Sequence, residues 1–497
     1  MLLMVFVDEI GAAYPQLNHS PWDSVTLADY VMPWFLFMVG TSLSISLKKF
    51  KLGRRVEGTK SVVTRALKLF GLGLLLQGGD PGWIGGYAYG YNLATLRFMG
   101  ILQRIAFAYL IGALIELWIP ERPRPLESSR VGFPHLLLFG LQAWRWLLAC
   151  AFVLLHLCLT LWLWVPSWTS HYGWNRTLCP EAASCDAPSV RLVHGFDLAC
   201  DVRGALHTPE CSAAGHIDRA LFGQDHLGAW MSMRLPQCSS CSPGQPDSWY
   251  RPECRWLRPG SAAADDADDA DDDGAPAWCY AHIYDPEGAL ATLPTVMSVW
   301  LGAHFGRVLH FEPLRGRRAI LTHWAACALA LLLGGLLISL GGLPMNKQLW
   351  SPSYLFFTAG TCGAALTIAY AAVDATPPAS EQRATGRAVA RFQARLRWLL
   401  FPLEATGMNA ILFFFWHGTA EALLDAAYVQ PPRPAGAEAA PRVNLGADSS
   451  VEGWLGTDVL GWVEDHAARQ LLFMALKLAC YMLVAVACYR NEYFWKL

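Results

Sequence analysis

Ten apolar stretches, separated by polar segments, alternate along the 497-residue chain, at 1–13, 28–47, 61–77, 95–119, 144–165, 288–309, 319–340, 352–373, 399–424 and 470–489. A helix needs roughly 17–25 apolar residues to cross about 30 Å of hydrocarbon, and most of these stretches have that length. The pattern predicts an all-α fold, a polytopic transmembrane bundle of about ten spans. Three parts follow: spans 1–5 in residues 1–165, one long loop in 166–287, and spans 6–10 in 288–497. The first stretch is too short to span alone and has no basic region before it, so it reads neither as a signal peptide nor as a complete helix. Further residues are expected before Met1.

Charge gives the bundle an orientation. Lys48, Lys49, Lys51, Arg54, Arg55, Lys60, Arg65 and Lys68 surround the second loop, and Arg122, Arg124 and Arg130 the fourth. Arg307, Arg315, Arg317 and Arg318 mark the sixth loop, and Arg383, Arg387, Arg391, Arg395 and Arg397 the eighth. The short loops between them, Tyr14 to Leu27 and Asp80 to Ala94, carry no Lys or Arg. Loops rich in Lys and Arg stay in the cytosol, which puts both chain ends there. Composition agrees with a membrane protein: 54% of residues are hydrophobic, only 16% charged, and the mean hydropathy is +0.27. A net charge of -2 with no basic face excludes nucleic acid as a partner.

On the opposite face the loop 166–287 carries eight cysteines, Cys179, Cys185, Cys200, Cys211, Cys238, Cys241, Cys254 and Cys279. An even number in a non-cytosolic compartment reads as disulfides. Cys238 and Cys241 have the spacing of half a zinc site, but an oxidising lumen favours disulfides, and no metal is expected anywhere in the chain. Asn175-Arg176-Thr177 is a glycosylation sequon on the face the charges predict. The acidic run from Asp265 to Asp273 reads as a solvated insert.

Ionisable groups within spans cost about 2.5–3.5 kcal/mol each at mid-helix, so each needs a partner or a function. Most of them approach one leaflet: Asp8, His19, Asp29, Arg97, Arg104, His417 and Glu421. His19 lies in a short loop between two spans and suits a general base or nucleophile; the plain alternative is a surface histidine in a turn. Asp29 and Asp8 are carboxylates that could orient the ring, although Asp29 could instead cap the second span. Arg104 wants an anion, either a buried carboxylate among Asp8, Asp29 and Glu421 or a phosphate-bearing ligand. Asn409 serves an interhelical hydrogen bond or a substrate contact. His417 and Glu421 share a helical face, but two residues alone do not make a metal site. No GxSxG elbow, Walker loop, HExxH or dinucleotide-binding glycine pattern occurs in a credible context.

Several ordered blocks resemble the heparan-alpha-glucosaminide N-acetyltransferase family. They are Met4-Val5-Phe6-Val7, His19-Ser20-Pro21-Trp22 and Thr26 to Phe35; Leu96-Arg97 through Gly100 to Leu102-Gln103-Arg104; Gly215 to Arg219, Gly223 to Leu227 and Tyr284 to Gly288; then Asn346 to Ser351, Gly407-Met408-Asn409 and Phe494-Trp495-Lys496. The resemblance implies acetyl transfer from cytosolic acetyl-CoA to the amine of a lumenal terminal glucosamine in a lysosomal or other endomembrane. It makes His19 the acetyl acceptor or general base, with Asp29 and Asp8 in support; an acid at position 8 departs from the family's usual asparagine. Arg97, Arg104, Asn409, His417 and Glu421 become candidates for substrate binding, and Arg65, Lys68 and Arg104 for the CoA phosphates. The family's full enzyme has a further N-terminal lumenal region and a preceding span. Partners on this reading are acetyl-CoA, a lumenal amino-sugar glycan and membrane lipids, and a homodimer is compatible with it.

Two rivals stand beside it. A proton-coupled transporter would also place Asp, His and Arg within the membrane, although no inverted repeat is visible, and an acyltransferase could act on a different lumenal glycan. The Cys-rich and acidic insertions in the long loop set this chain apart from the enzyme it resembles.

Overall fold

The computed structural model describes residues 1–10, 17–20, 22–50, 53–77, 96–122, 134–172, 191–228, 283–311, 316–374, 384–417 and 466–495, with a few isolated positions between them. The chain is mostly helical: α1 Leu2–Ile10, α2 Val31–Ser46, α3 Arg55–Gln77, α4 Ile101–Trp118, α5 Pro134–Leu141, α6 Ala143–Trp162, α7 Ala213–Phe222, α8 Ala289–Thr292, α9 Thr295–Val308, α10 Arg317–Leu340, α11 Pro352–Ala369, α12 Ala384–Met408, α13 Ala410–His417 and α14 His466–Arg490. The expectation of an all-α chain needs one correction, because among the described residues four short strands occur, one at the end of the predicted fifth span and three in the long loop. These are β1 Trp164–Val165, β2 Trp168–Tyr172, β3 Arg191–Leu198 and β4 Val202–Arg203, paired antiparallel as β1 with β4 and β2 with β3.

Among the described residues six helices are long and apolar enough to cross a membrane, and a seventh span arises if the bent pair Arg391–Met408 and Ala410–His417, meeting at 71°, counts as one. Of the ten predicted spans, the first, third and sixth do not meet that standard. α1 has 9 residues, and α3 carries Lys60, Arg65 and Lys68 along its length. The sixth is broken at Leu293-Pro294, leaving α9 with 14 residues, about 21 Å of helix at 1.5 Å per residue. Nearly all of α9 is buried by protein, so its apolar character serves packing against neighbouring helices.

Two compact units emerge. One comprises residues 19–74 and 94–396, the other 1–18, 75–93 and 397–497. In the larger unit α2 lies against α9 so closely that a Cβ on Gly40 would run into the Val299 carbonyl and one on Gly302 into that of Phe37. Small residues at such crossings let backbones approach to van der Waals contact, and Thr41 Oγ1 donates to Gly302 O across the seam at 3.1 Å. Gly302→Ala is therefore expected to destabilise the detergent-solubilised protein by about 3 kcal/mol or more, the upper end for overpacking, read as a loss of thermal stability.

Further along the same unit, the fully buried Glu116 of α4 pairs with Arg145 of α6 at 3.1 Å and with Arg307 of α9. The long loop is fastened by a disulfide between Cys200 and Cys211; the other six loop cysteines and Asn175 lie outside the described residues. Trp22, Val165, Cys200, Cys211, Ile283, Tyr284, Leu290 and Leu349 form one apolar core, which seats the loop directly on the segment that carries His19. The smaller unit has its own core of Val5, Ile10, Ala405, Phe413, Met474, Tyr481 and Ala485.

Candidate active site

The segment from His19 to Asp29 folds back on its own carboxylate. Asp29, fully buried in the turn that leads into α2, takes His19 Nδ1 on Oδ1 at 2.8 Å. Its other oxygen accepts from Ser20 N, Thr26 N and Thr26 Oγ1, each at 3.0 Å. None of these donors belongs to α2, so Asp29 does not cap the helix; it shapes the turn and fixes the ring. A proton on Nδ1 would serve the Asp29 carboxylate and leave the Nε2 lone pair for chemistry. The His19 side chain is 20% exposed while Asp29 is 0% exposed, which leaves the imidazole reachable and its partner sealed.

Lys347, which the sequence reading did not single out, completes the arrangement. Its ammonium lies 2.9 Å from His19 Nδ1, 3.4 Å from Nε2 and 3.7 Å from Asp29 Oδ1. The lysine is positioned by a tight loop in which Trp350 adopts a left-handed backbone with φ 51°, a conformation rare for bulky residues and costly unless its surroundings enforce it. Here they do. Leu349 N donates to Asn346 Oδ1 at 2.8 Å, Asn346 Nδ2 to Asp23 at 3.3 Å, and Trp350 Nε1 to Ser298 at 3.3 Å. Tyr354 OH donates to the Asp29 carbonyl at 2.5 Å, so this loop and the start of α11 hold both ends of the His19 pair.

A second charged cluster adjoins the first. Arg97 makes a bidentate pair with Asp285, through Nε at 2.7 Å and Nη2 at 2.6 Å, and reaches Glu287 at 2.5 Å. It sits in extended chain ahead of α4, and Arg104 occupies that helix's first turn instead of lying two turns deep. Arg104 is buried over the Trp350 ring, with its guanidinium carbon 5.1 Å from the ring centre, and donates to Pro286 O at 2.8 Å. That acceptor comes from the end of the long loop and is not Asp29. Burial pulls the Glu287 carboxyl upward, but Arg97, Arg104 and Lys347 outweigh it and hold the group below its ordinary value.

Asp218 on α7 behaves in the opposite way. Burial, reinforced by Asp285, pushes its carboxyl up to about 7, although Ala289 N donates to it at 2.8 Å. A folded-state value above the ordinary 3.8 means the folded chain binds the extra proton between those two values. Stability from this group is then fully present below about pH 4 and is lost as pH rises to about 7, by on the order of 4 kcal/mol at 1.36 kcal/mol per unit. Thermal stability is expected to fall between pH 5 and pH 7.5, and Asp218→Asn to flatten that slope.

Other candidates have partners of their own. In the smaller unit Asp8 pairs with His417 Nε2 at 3.6 Å. Asn409, at the break between α12 and α13, donates from Nδ2 to Tyr493 O at 3.0 Å and accepts from Trp495 N at 2.9 Å, which ties down the segment that follows α14 and is not a helix-to-helix bond. Glu421 lies outside the described residues. On α3, Arg65 rests over the Tyr109 ring at 5.1 Å and Lys68 is exposed. Lys347, Asp218, Asp285 and Glu287 were missed as site residues, although their segments had been noted; the signal was the acid and base content of loops on the face otherwise poor in Lys and Arg.

Fold and site together define an integral membrane protein with a buried carboxylate–imidazole pair beside an arginine–carboxylate cluster. No family model matches the chain. Among curated proteins it is similar to heparan-alpha-glucosaminide N-acetyltransferase of Mus musculus, 28% identical over 438 residues, covering 85% of this chain and 52% of that protein. The protein of the same name from Homo sapiens is 25% identical over 432 residues, covering 84% and 51%. The likeness to these acetyltransferases runs over most of this chain's own length. The chain spans about half the length of the relatives it matches.

Proposed function

We propose that this chain is an acyltransferase that moves acetyl from cytosolic acetyl-CoA to the amine of a lumenal terminal glucosamine, and that His19 is its reacting base. The observation that carries the reading is the His19–Asp29 pair, with a buried carboxylate on Nδ1 and a reachable Nε2. In direct transfer, Nε2 takes a proton as the amine attacks the thioester carbonyl; the C–S bond breaks, and the CoA thiolate leaves and receives that proton. In a relay, Nε2 itself attacks the carbonyl, the C–S bond breaks and CoA leaves as the thiolate; the amine then attacks the acetyl group, the C–N bond to the ring breaks, and the amine proton passes to the freed Nε2 and on to solvent. Either way Asp29 stabilises the imidazolium or acyl-imidazolium that forms. Lys347 lies close enough to the ring to offset the oxyanion developing on the thioester.

Arg97 and Arg104 bound the side on which an acceptor would sit. Nε and Nη1 of Arg104 have no hydrogen-bond partner among the described residues and are sealed from solvent, so Arg97, which is 19% exposed, is the arginine nearer to an acceptor. Arg65 and Lys68 stay the candidates for CoA phosphates on the basic face. Brief exposure of the purified protein to radiolabelled acetyl-CoA, without acceptor, tests the chemistry. Label retained on His19 supports the relay, an active preparation without label supports direct transfer, and no thioester turnover with any amino sugar overturns the proposal.

A further inference from the structure

The sequence reading expects no metal, yet three donor side chains converge inside the larger unit, far along α9 from the end that faces His19. His304 of α9 and His323 of α10 point their Nε2 atoms at each other at 3.0 Å. Cys327, one turn beyond His323, brings its sulfur to 3.6 Å from that same nitrogen. All three donor atoms lie within 4.8 Å of one another. We propose that His304, His323 and Cys327 bind a d10 cation, Zn²⁺ or Cu⁺, clamping α9 to α10.

The geometry favours an ion over a hydrogen bond. Metal–nitrogen bonds of about 2.0–2.1 Å and a metal–sulfur bond of about 2.3 Å at tetrahedral angles place N and S roughly 3.6 Å apart and the two nitrogens roughly 3.3 Å apart. The observed separations lie near both. Hydrogen bonding fits less well, because an imidazole nitrogen has either one proton or one in-plane lone pair, and His323 Nε2 faces both a second imidazole and a thiol. A cation is shared by all three without that conflict.

Donor chemistry narrows the ion. Two imidazoles and a thiolate suit borderline and soft cations and not the hard, oxygen-seeking Mg²⁺ or Ca²⁺. The surroundings exclude water: Phe139 stacks on His304 with ring centres 4.4 Å apart, and Trp146 meets it edge-on at 5.4 Å. Binding forms two metal–nitrogen bonds and one metal–sulfur bond and releases the thiol proton to solvent. With Cu⁺ the charge of the site is then zero, which suits these apolar walls; with Zn²⁺ it is +1. His323 and Cys327 are four apart on one helix, a spacing that puts both on one face.

The test uses the full chain purified in detergent without chelator. Elemental analysis is expected to find about one zinc or copper per chain, and X-ray absorption at that metal's edge a shell of two imidazole nitrogens and one sulfur. After chelation, added Co²⁺ is expected to give a thiolate-to-cobalt charge-transfer band that Cys327→Ser removes and His304→Gln weakens at least tenfold in affinity. The absorption shell is read on the unmutated protein, so misfolding of a variant cannot decide the outcome. A shell of two or more sulfurs, a cobalt band that both variants leave unchanged, or no bound metal and no band at all would each overturn the site.

Discussion

Replacing His19 by alanine is expected to lower acetyl-CoA-dependent acetylation of a terminal glucosamine by roughly 10²–10⁴-fold, the range for losing a positioned general base. If the ring carries the acetyl group, the loss extends to background. When the ring is removed, the loop keeps the bonds of Ser20 and Thr26 to Asp29 and of Trp22 to the Leu206 carbonyl. Expression and melting temperature should therefore stay close to the parent, and comparison at equal protein level in membranes reads chemistry alone. Asp29→Asn is the sharper companion. An amide at that position still fills the turn but presents a neutral group to Nδ1, so kcat should fall while KM for acetyl-CoA holds. A His19→Ala protein with parental activity would end the proposed mechanism.

Arg97→Ala is expected to act on folding before it acts on catalysis. Asp285 and Glu287 are both buried, and their pairing with Arg97 is bidentate on one side and direct on the other. Removing one partner of a buried ion pair typically costs 3–5 kcal/mol, because the remaining charge stays desolvated; here two carboxylates are stranded. The measurement is the detergent melting temperature together with the yield of monodisperse protein. Arg97→Lys should recover only part of the loss, since an ammonium cannot reproduce the fork that meets Asp285 through two nitrogens. Double replacement with Asp285→Asn should be less harmful than the sum of the single changes, because the two groups share one interaction.

How much of this was legible in the chain depends on distance along it. The His19–Asp29 pair was readable because both ends fall within one short loop, where few conformations separate an acid from a ring. The partners of Arg97 and Arg104 were not, since Asp285, Pro286 and Glu287 return from 182 to 190 positions away and hydropathy says nothing about which loop closes over which helix. Lys347 was hidden for a related reason. In a stretch of chain it is one basic residue between spans, and only the left-handed turn at Trp350 reveals that it points at the imidazole. The count of ten spans is not confirmed where apolar content serves burial by protein, as in α9, or where the helix is short, as in α1. Cys327 carried no signal beyond its spacing from His323, because His304 arrives from a different helix.

The glycine seam between α2 and α9 has a mechanical consequence. Carbonyls and Cα atoms touching across two crossings leave no layer of side chains to slide on, so the two helices translate and rotate as one stiff beam. Asp29 stands at one end of that beam, and α9 leads back through α8 to the segment that supplies Glu287 and Asp285. The acid that orients the imidazole and the acids that face the arginines are thus mounted on a common strut, and their spacing survives the bending of the surrounding bundle. Motion that admits one substrate and then the other has to come from elements hung on this strut, such as the long loop and the extended approach to α4, while the reacting groups keep their register.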